Sequence, residues 1–397
     1  ETLLPENEPV SEEAALLKAE LLALRANFHQ VQQKFDEAIQ SARQSINLLN
    51  GKDERIASLA YLALGAGLRQ KGNYEEARMA LENAIHLSRK NDDPITDILA
   101  VSHLTLMALE YGQLGLAAVT AQQAIQHLEQ HPHGYPAVLG AVYGALGWVY
   151  YHRGQLEQAS QHFQRGIHLA ELSGHNASAV YSLVGMARLQ IAQGLPIAAR
   201  QYLQQAEQFY QKGAPAWVLP ELLSCKSLLA LAEGNHLEAG AILSVSGITP
   251  DSPVTPFSET LLLAWLRLTA ALENSEQFPP ALELARRILH FSRASRRNYT
   301  LLQNLVLGAI LHFKNGDEAQ ASQWLAEAAQ IAISAGYRSV FFEQKSSLLP
   351  ILKVMRLPEA EALLHPVDEK QQGALPQRPS TGDDDLGGVA LTERELE

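Results

Sequence analysis

A motif that recurs about every forty residues limits the fold of this chain more than any other feature of its sequence. Each copy contains a glycine, a few polar residues and then an alanine that opens an amphipathic stretch, as in Gly72–Ala77 and Gly154–Ala159. Two copies, Gln33–Ala38 and Glu276–Ala281, lack the glycine. The eight alanines are 39 to 42 residues apart, at Ala38, Ala77, Ala117, Ala159, Ala199, Ala239, Ala281 and Ala321. A regular period of this length is typical of solenoids, in which each repeat packs only against its neighbours.

Each copy predicts a hairpin of two helices. The glycine supplies the left-handed residue that ends the first helix, and the small alanine lets the second helix approach closely. Apolar residues then recur at helical spacing, as at Phe163 and Ile167, whereas strand-like alternation is absent from the sequence. The Leu-Gly pairs at 64–65 and 146–147 complete a pattern that resembles the tetratricopeptide (TPR) repeat. The predicted fold class is therefore all-α: a right-handed, TPR-like superhelical solenoid of about eight helix pairs.

The solenoid is expected to occupy residues 14–345. An apolar stretch that includes 348–352, and a short helix from Pro358, predict C-terminal capping helices over residues 346–365. Residues 366–390 contain several prolines and glycines and the acidic run Asp383–Asp385, which indicates a flexible acidic linker.

The composition excludes several classes of protein. Acidic residues outnumber basic ones by 43 to 31, a formal net charge of −12, so we expect this chain alone not to bind DNA or an anionic membrane. No apolar run is long enough to span a bilayer, and the N-terminus has no signal peptide. Cys225, the single cysteine, cannot form an internal disulfide. We expect a soluble, cytoplasmic protein and, because the chain does not begin with Met, a fragment of a longer one.

The last seven residues, Leu391–Glu397, carry a second signal. Thr392 and Glu395 have the spacing of a helix capping box, and together with Leu391, Arg394 and Glu397 they resemble the start of a LuxR-type helix-turn-helix. Residues 391–397 are therefore interpreted as the truncated start of such a domain. Its DNA-reading helices are not in the sequence.

The long repeats and this terminal motif together resemble the MalT-like large LuxR-type transcriptional regulators. The segment Ala335–Arg338, followed by Phe341–Glu343, is similar to the end of the last repeat in that family. The resemblance implies a sensor domain that binds a small-molecule inducer or a regulatory protein, controls self-association and activates transcription. It also implies that ATP binds the family's N-terminal domain. Because a phosphate-binding GxxxxGK[ST] loop is missing here, we expect no cofactor in this chain.

Catalytic and metal-binding motifs are absent from the sequence. It has no HExxH, GxSxG or GxGxxG pattern, so an enzyme is not expected. His131 and His133 form a short H-x-H in a predicted turn, which we interpret as a solvated loop. Cys225 is interpreted as a packing residue, and no metal site is predicted.

The predicted ligand site lies on the first helices, which line the concave groove of such a superhelix. Alignment of the repeats on their alanines brings together aromatic, Arg and His side chains that suit a small polar ligand. The groove candidates are Trp148, Tyr151, His152, Tyr181 and Arg188. Secondary groove candidates are Arg69, Glu110, Glu221 and Gln303.

Two alternatives stay open at this point. Trp148 could fill the interior of the superhelix while Arg188 pairs with a neighbouring acid, and Trp217, between Pro215 and Pro220, is interpreted as the hydrophobic anchor of a turn. The whole module could also be a peptide- or protein-binding TPR scaffold that senses no small molecule.

Overall fold

The computed structural model describes residues 12–129, 139–272 and 274–367. All regular secondary structure within these ranges is helical. The helices are α1 (Glu12–Val31), α2 (Phe35–Leu49), α3 (Glu54–Lys71), α4 (Tyr74–Lys90), α5 (Pro94–Glu110), α6 (Leu114–Glu129), α7 (Gly140–His152), α8 (Leu156–Ser173), α9 (Asn176–Ala192), α10 (Pro196–Gln211), α11 (Leu219–Ala232), α12 (His236–Ser244), α13 (Glu259–Ala271), α14 (Phe278–Ala294), α15 (Asn298–Lys314), α16 (Glu318–Ala335), α17 (Ser339–Phe342), α18 (Lys345–Met355) and α19 (Pro358–Glu361).

The helices from α1 to α16 form eight hairpins in chain order, which confirms the predicted all-α solenoid. Every repeat alanine lies in the first turn of its hairpin's second helix, and all eight are at most 7% exposed. First helices also contact the first helices of the adjacent repeats, so they form an inner layer and the second helices an outer layer.

The glycine signal in the sequence has the predicted conformation. The six repeat glycines all have φ between 74° and 84°, and they are Gly72, Gly112, Gly154, Gly194, Gly234 and Gly316. In the first repeat the corresponding left-handed residue is Gln33, with φ of 60°. A left-handed residue here ends the first helix and turns the chain back, and glycine adopts this conformation without steric cost.

Glycines inside the first helices serve a different purpose. A Cβ at Gly147 would lie 2.5 Å from the ring of Phe163, and one at Gly65 would lie 2.6 Å from the side chain of Leu81. The absence of a side chain therefore lets a large residue of the second helix fill the contact between the two helices of a hairpin.

The superhelix closes on itself. Helix α15 contacts α5, and α17 contacts α7, although more than 180 residues separate them in sequence. The Tyr337 hydroxyl donates a hydrogen bond to the Leu109 carbonyl at 2.8 Å, and the Arg338 amide donates to the His152 carbonyl at 2.7 Å. The concave surface is therefore the wall of a lumen that these contacts bridge, and this lumen stays partly open to solvent.

Three short helices follow the last hairpin. Helix α17 turns into the closure with α7, α18 packs against α15, and α19 packs against α16. The amide of Val367 donates to the Gly154 carbonyl at 3.0 Å. Apart from residues 366 and 367, the predicted linker 366–390 lies outside the described residues, as do the helix-turn-helix start at 391–397 and the histidine pair at 131 and 133.

Candidate functional site

The lumen encloses a cavity of about 110 Å³. Its wall contains side chains from the first helices of the second to the eighth repeat and from the segments that precede α11, α13 and α15. The wall contains three positively charged and three negatively charged residues, and these are Arg69, Arg188, Arg297, Glu110, Glu221 and Glu259. Rings of Tyr181, Trp217, Phe257 and Tyr299 complete the wall together with several hydroxyl and amide groups.

Most of the residues predicted from the sequence meet at this cavity. Seven of them line it, and these are Arg69, Glu110, His152, Tyr181, Arg188, Glu221 and Gln303. Trp148 and Tyr151 do not belong to the lining. The repeat alignment therefore selects one face of the inner helices, while ligand binding by these residues stays a prediction.

Trp148 lies behind the cavity wall. Its ring is 3% exposed, makes edge contacts with Tyr151 and Phe163, and lies 5.4 Å from the ring of Tyr181. The indole Nε1 donates to the Tyr181 carbonyl at 3.3 Å. In this structure Trp148 packs between two repeats and has no free polar edge for a ligand.

Arg188 forms an ion pair with an acid that the sequence reasoning did not consider. Its Nη2 lies 2.8 Å from Oε2 of Glu343, and the Tyr151 hydroxyl donates to Oε1 of the same carboxylate at 2.6 Å. Burial, aided by Glu343, raises the pKa of Tyr151 well above its ordinary value, so this phenol stays a proton donor.

A second charge network spans the other part of the wall. Glu110 pairs with Arg69 and, at 3.3 Å, with Arg297, which in turn makes a bidentate pair with Glu259. Burial alone would raise the pKa of Glu110, but the two guanidinium groups lower it below its ordinary value. The network joins the second, third and seventh repeats to the start of the eighth.

Glu221 is the lining acid that is not part of an ion pair in the described structure. It accepts a hydrogen bond from the Thr260 hydroxyl at 3.0 Å. Burial raises the pKa of Glu221 above its ordinary value, although the positive charges of Arg188 and Arg267 lower it in part from a longer distance. This carboxylate can accept a hydrogen bond from a ligand or, when protonated, donate one.

His152 and Cys225 are two further titratable groups that are buried in the described structure. Burial lowers the pKa of His152 well below its ordinary value, and it raises the pKa of Cys225 to about 12, so both are neutral near pH 7. Within the described ranges no three His, Cys, Asp or Glu residues lie close enough to hold a metal ion.

The sequence reasoning missed Glu259, Tyr299 and Arg297, and it assigned Trp217 to a turn. The candidates were sought from 7 to 18 residues before each repeat alanine. Three lining residues lie 22 residues before the next repeat alanine, one helical turn beyond that range on the same face, and these are Trp217, Glu259 and Tyr299. A search extended by one turn would have found them, whereas Arg297 lies before its helix begins.

Comparison with known proteins now places the chain. The family model for MalT-like TPR regions matches residues 19–357. The chain belongs to this family. A search of curated proteins finds no match. No helix in the described part of this MalT-like TPR chain is long and apolar enough to cross a membrane.

One solved structure supports the fold, and a second match is weaker. One, described as a Rap protein complexed with Competence and Sporulation Factor, matches 86% of this chain and 99% of its own at 12% identity, with a TM-score of 0.51. Another, aspartyl phosphate phosphatase F from Bacillus subtilis, matches 83% of this chain and 96% of its own at 12% identity, with a TM-score of 0.49. At this identity the likeness concerns the fold alone, a scaffold of helical repeats.

Proposed function

We propose that this chain is the sensor module of a MalT-like transcriptional regulator and that its lumen cavity binds a small-molecule inducer. The observation that carries the proposal is the cavity itself, because its wall is built from the inner helices of seven of the eight repeats. A ligand there would contact the first and second halves of the solenoid at once.

The chemistry of the wall supports a small polar ligand. Arg188, Glu221 and Gln303 offer donors and acceptors, and Trp217 and Tyr299 offer ring faces. A cavity of about 110 Å³ is too small for a folded partner or a helix.

A protein partner is favoured by a different surface. Helix α1 exposes five apolar side chains, each more than half exposed, and these are Leu17, Leu21, Leu24, Phe28 and Val31. Their alternating spacing of four and three residues is that of a helix–helix seam. This face is suited to self-association or to a neighbouring domain, and it does not compete with the cavity.

The first prediction is that a ligand of the cavity stabilises the chain against heat. A thermal-shift screen of sugars, amino acids, aromatic acids and nucleotides should give one class that raises Tm by several degrees, because binding to the native state alone stabilises it. Sedimentation of the same samples measures whether the ligand changes self-association.

Variants locate the site. Gln303→Ala and Glu221→Gln each alter the wall of the cavity. Each should weaken the apparent affinity for the ligand at least about tenfold, which corresponds to roughly 1.4 kcal/mol from one or two lost hydrogen bonds, and should therefore reduce the ligand-induced rise in Tm. Gln126→Ala, on the exposed face of α6, is the matched control. Equal shifts in all three variants would place the ligand elsewhere and contradict the proposal.

A further inference from the structure

Glu343 lies where a bound carboxylate would lie. It follows α17, and its side chain is 5% exposed. One carboxylate oxygen accepts from Arg188 at 2.8 Å and the other from the Tyr151 hydroxyl at 2.6 Å. Its carboxylate is therefore held at both oxygens by side chains that lie more than 150 residues earlier in the sequence.

The groups that surround Glu343 have more donors than it uses. The Nε atoms of Arg188 and Arg267 are buried and have no hydrogen-bond partner. Arg267 is 6% exposed, interacts electrostatically with both Arg188 and Glu343, and forms no ion pair in the described structure. Glu221 is the other acid that interacts electrostatically with Arg188, and its carboxylate accepts a hydrogen bond from Thr260. Arg188 contacts the carboxylate of Glu343 and has an unused buried donor, and Arg267 adds a second buried positive charge that acts on it from a greater distance, so the site has spare capacity for an anion.

This anion site shares one residue with the wall of the lumen cavity. Arg188 belongs to the cavity wall, whereas Glu343, Tyr151 and Arg267 do not. Arg188 therefore belongs both to the cavity wall and to the ion pair with Glu343, so a carboxylate bound in the cavity would compete with Glu343 for the same residue.

Glu343 also anchors the segment that closes the superhelix, residues 337–367. The segment is bound to α7 through Ser339, whose hydroxyl lies 2.8 Å from Nδ1 of His152. Inside the segment, Arg338 donates a hydrogen bond to the Ala362 carbonyl at 2.9 Å. The segment ends at Val367, whose amide is bound to Gly154. Loss of the Glu343 contact would weaken the attachment of this whole segment to α7.

We propose that Arg188 and Tyr151 form a carboxylate-binding subsite that the chain's own Glu343 occupies, and that a small carboxylic acid in the cavity displaces Glu343 and loosens residues 337–367. The second half of this statement rests on the proposed ligand binding in the lumen. The covalent continuity of the chain gives Glu343 a high effective concentration, so the ligand needs further contacts in the cavity to compete.

The test of the subsite, and the second prediction, is chemical rescue. Glu343→Ala removes the atoms of one acetate molecule. Acetate at tens of millimolar should therefore raise the Tm of this variant by about 2 °C or more, whereas acetamide and chloride at equal concentration should not. Wild-type protein should not respond, because Glu343 already fills the subsite. Glu327→Ala, which removes an exposed ion pair with Arg293, is the matched control.

Two results would overturn the subsite. One is an equal response of Glu343→Ala to acetate and acetamide, and the other is no response at all in a folded variant. If Glu343→Ala does not fold, Glu343→Gln retains the shape of the side chain and loses only the charge. It should be cleaved faster by protease within residues 337–367 than wild type, and wild-type resistance would contradict the inference.

Displacement by a ligand is measured on the wild-type chain. Hydrogen exchange of the Ser339–Phe342 amides should become faster with a carboxylate ligand from the thermal-shift screen and should not change with its primary amide. A carboxylate ligand that binds the cavity without this effect overturns the inference and leaves the sensor function standing. Acetate rescue without any cavity ligand supports the subsite and counts against the sensor function alone.

Discussion

At the scale of single residues, the lumen is stabilised by charges that are shielded from water. Breaking one buried pair leaves its partner uncompensated, which typically costs about 3–5 kcal/mol, far more than an exposed pair contributes. Arg188 and Glu343 are such a pair, with side chains 6% and 5% exposed. These residues therefore fix the shape of the site as well as its polarity.

The third prediction concerns pH. Burial, followed by nearby arginines, lowers the pKa of His103 to about 3 and that of His152 well below its ordinary value. Below about pH 6.5 the unfolded chain takes up protons at these histidines and the folded chain does not. The free energy of unfolding should therefore be highest above pH 6.5 and fall as the pH drops, by about 1.4 kcal/mol per pH unit for each histidine.

Urea unfolding at pH 7.5, 6.5 and 5.5 measures this slope. His152→Gln, whose amide can retain a hydrogen bond to Ser339, should have a shallower slope because one of the histidines with a lowered pKa is removed. A slope in the variant equal to that of wild type would show that His152 is protonated in the folded chain.

At the scale of the helices, each hairpin depends on a close contact between its two members. The sequence shows this contact as a glycine or other small residue on the first helix and a large apolar residue on the second. Gly147 and Phe163 are the clearest pair, since a Cβ at Gly147 would overlap the ring. Tight packing of this kind tolerates little added volume.

The fourth prediction compares two glycine substitutions. Gly147→Ala should destabilise the chain by about 1–3 kcal/mol, because the added methyl group forces α7 and α8 apart. Gly115→Ala, on the exposed face of α6 with nothing within 4 Å of the new Cβ, should stabilise it by up to about 1 kcal/mol through helix propensity. Thermal or urea unfolding of both variants measures the difference, and effects of the same sign would contradict this account.

At the scale of the whole molecule, contacts between distant repeats close the superhelix and form the lumen with its cavity. A solenoid with contacts between neighbours alone would expose its concave face. Here the start of the last repeat and the segment after it return to the third repeat, through Arg297 to Glu110 and through Tyr337 to Leu109. The cavity exists because these contacts exist.

The fifth prediction tests closure at Glu110. Glu110→Gln weakens the contacts with both Arg69 and Arg297, and it should cost roughly 2 kcal/mol, typical of lost hydrogen bonds between charged groups. Small-angle scattering should show a larger radius of gyration as the third and eighth repeats separate. Glu327→Gln, on an exposed pair, should change the free energy of unfolding by less than about 1 kcal/mol and leave the shape unchanged.

The sequence alone determined the architecture of the repeats. Hairpin helices, their left-handed turns at glycines such as Gly72, and the inward face that contains Glu221 and Gln303 all follow from local spacing. Helix periodicity and turn conformation are set by residues within a few positions of each other, and eight copies repeat the same signal.

Only the tertiary structure decided what closes the lumen. Arg188 pairs with Glu343 across 155 residues, and Tyr337 reaches Leu109 across 228. No periodic pattern encodes these contacts, because they depend on the small rotation between repeats accumulated over the whole superhelix. The same accumulation places α17 against Tyr151, while Trp148 packs between the fourth and fifth repeats. Two predicted groove residues therefore lie behind the wall of the cavity and seven others lie on it.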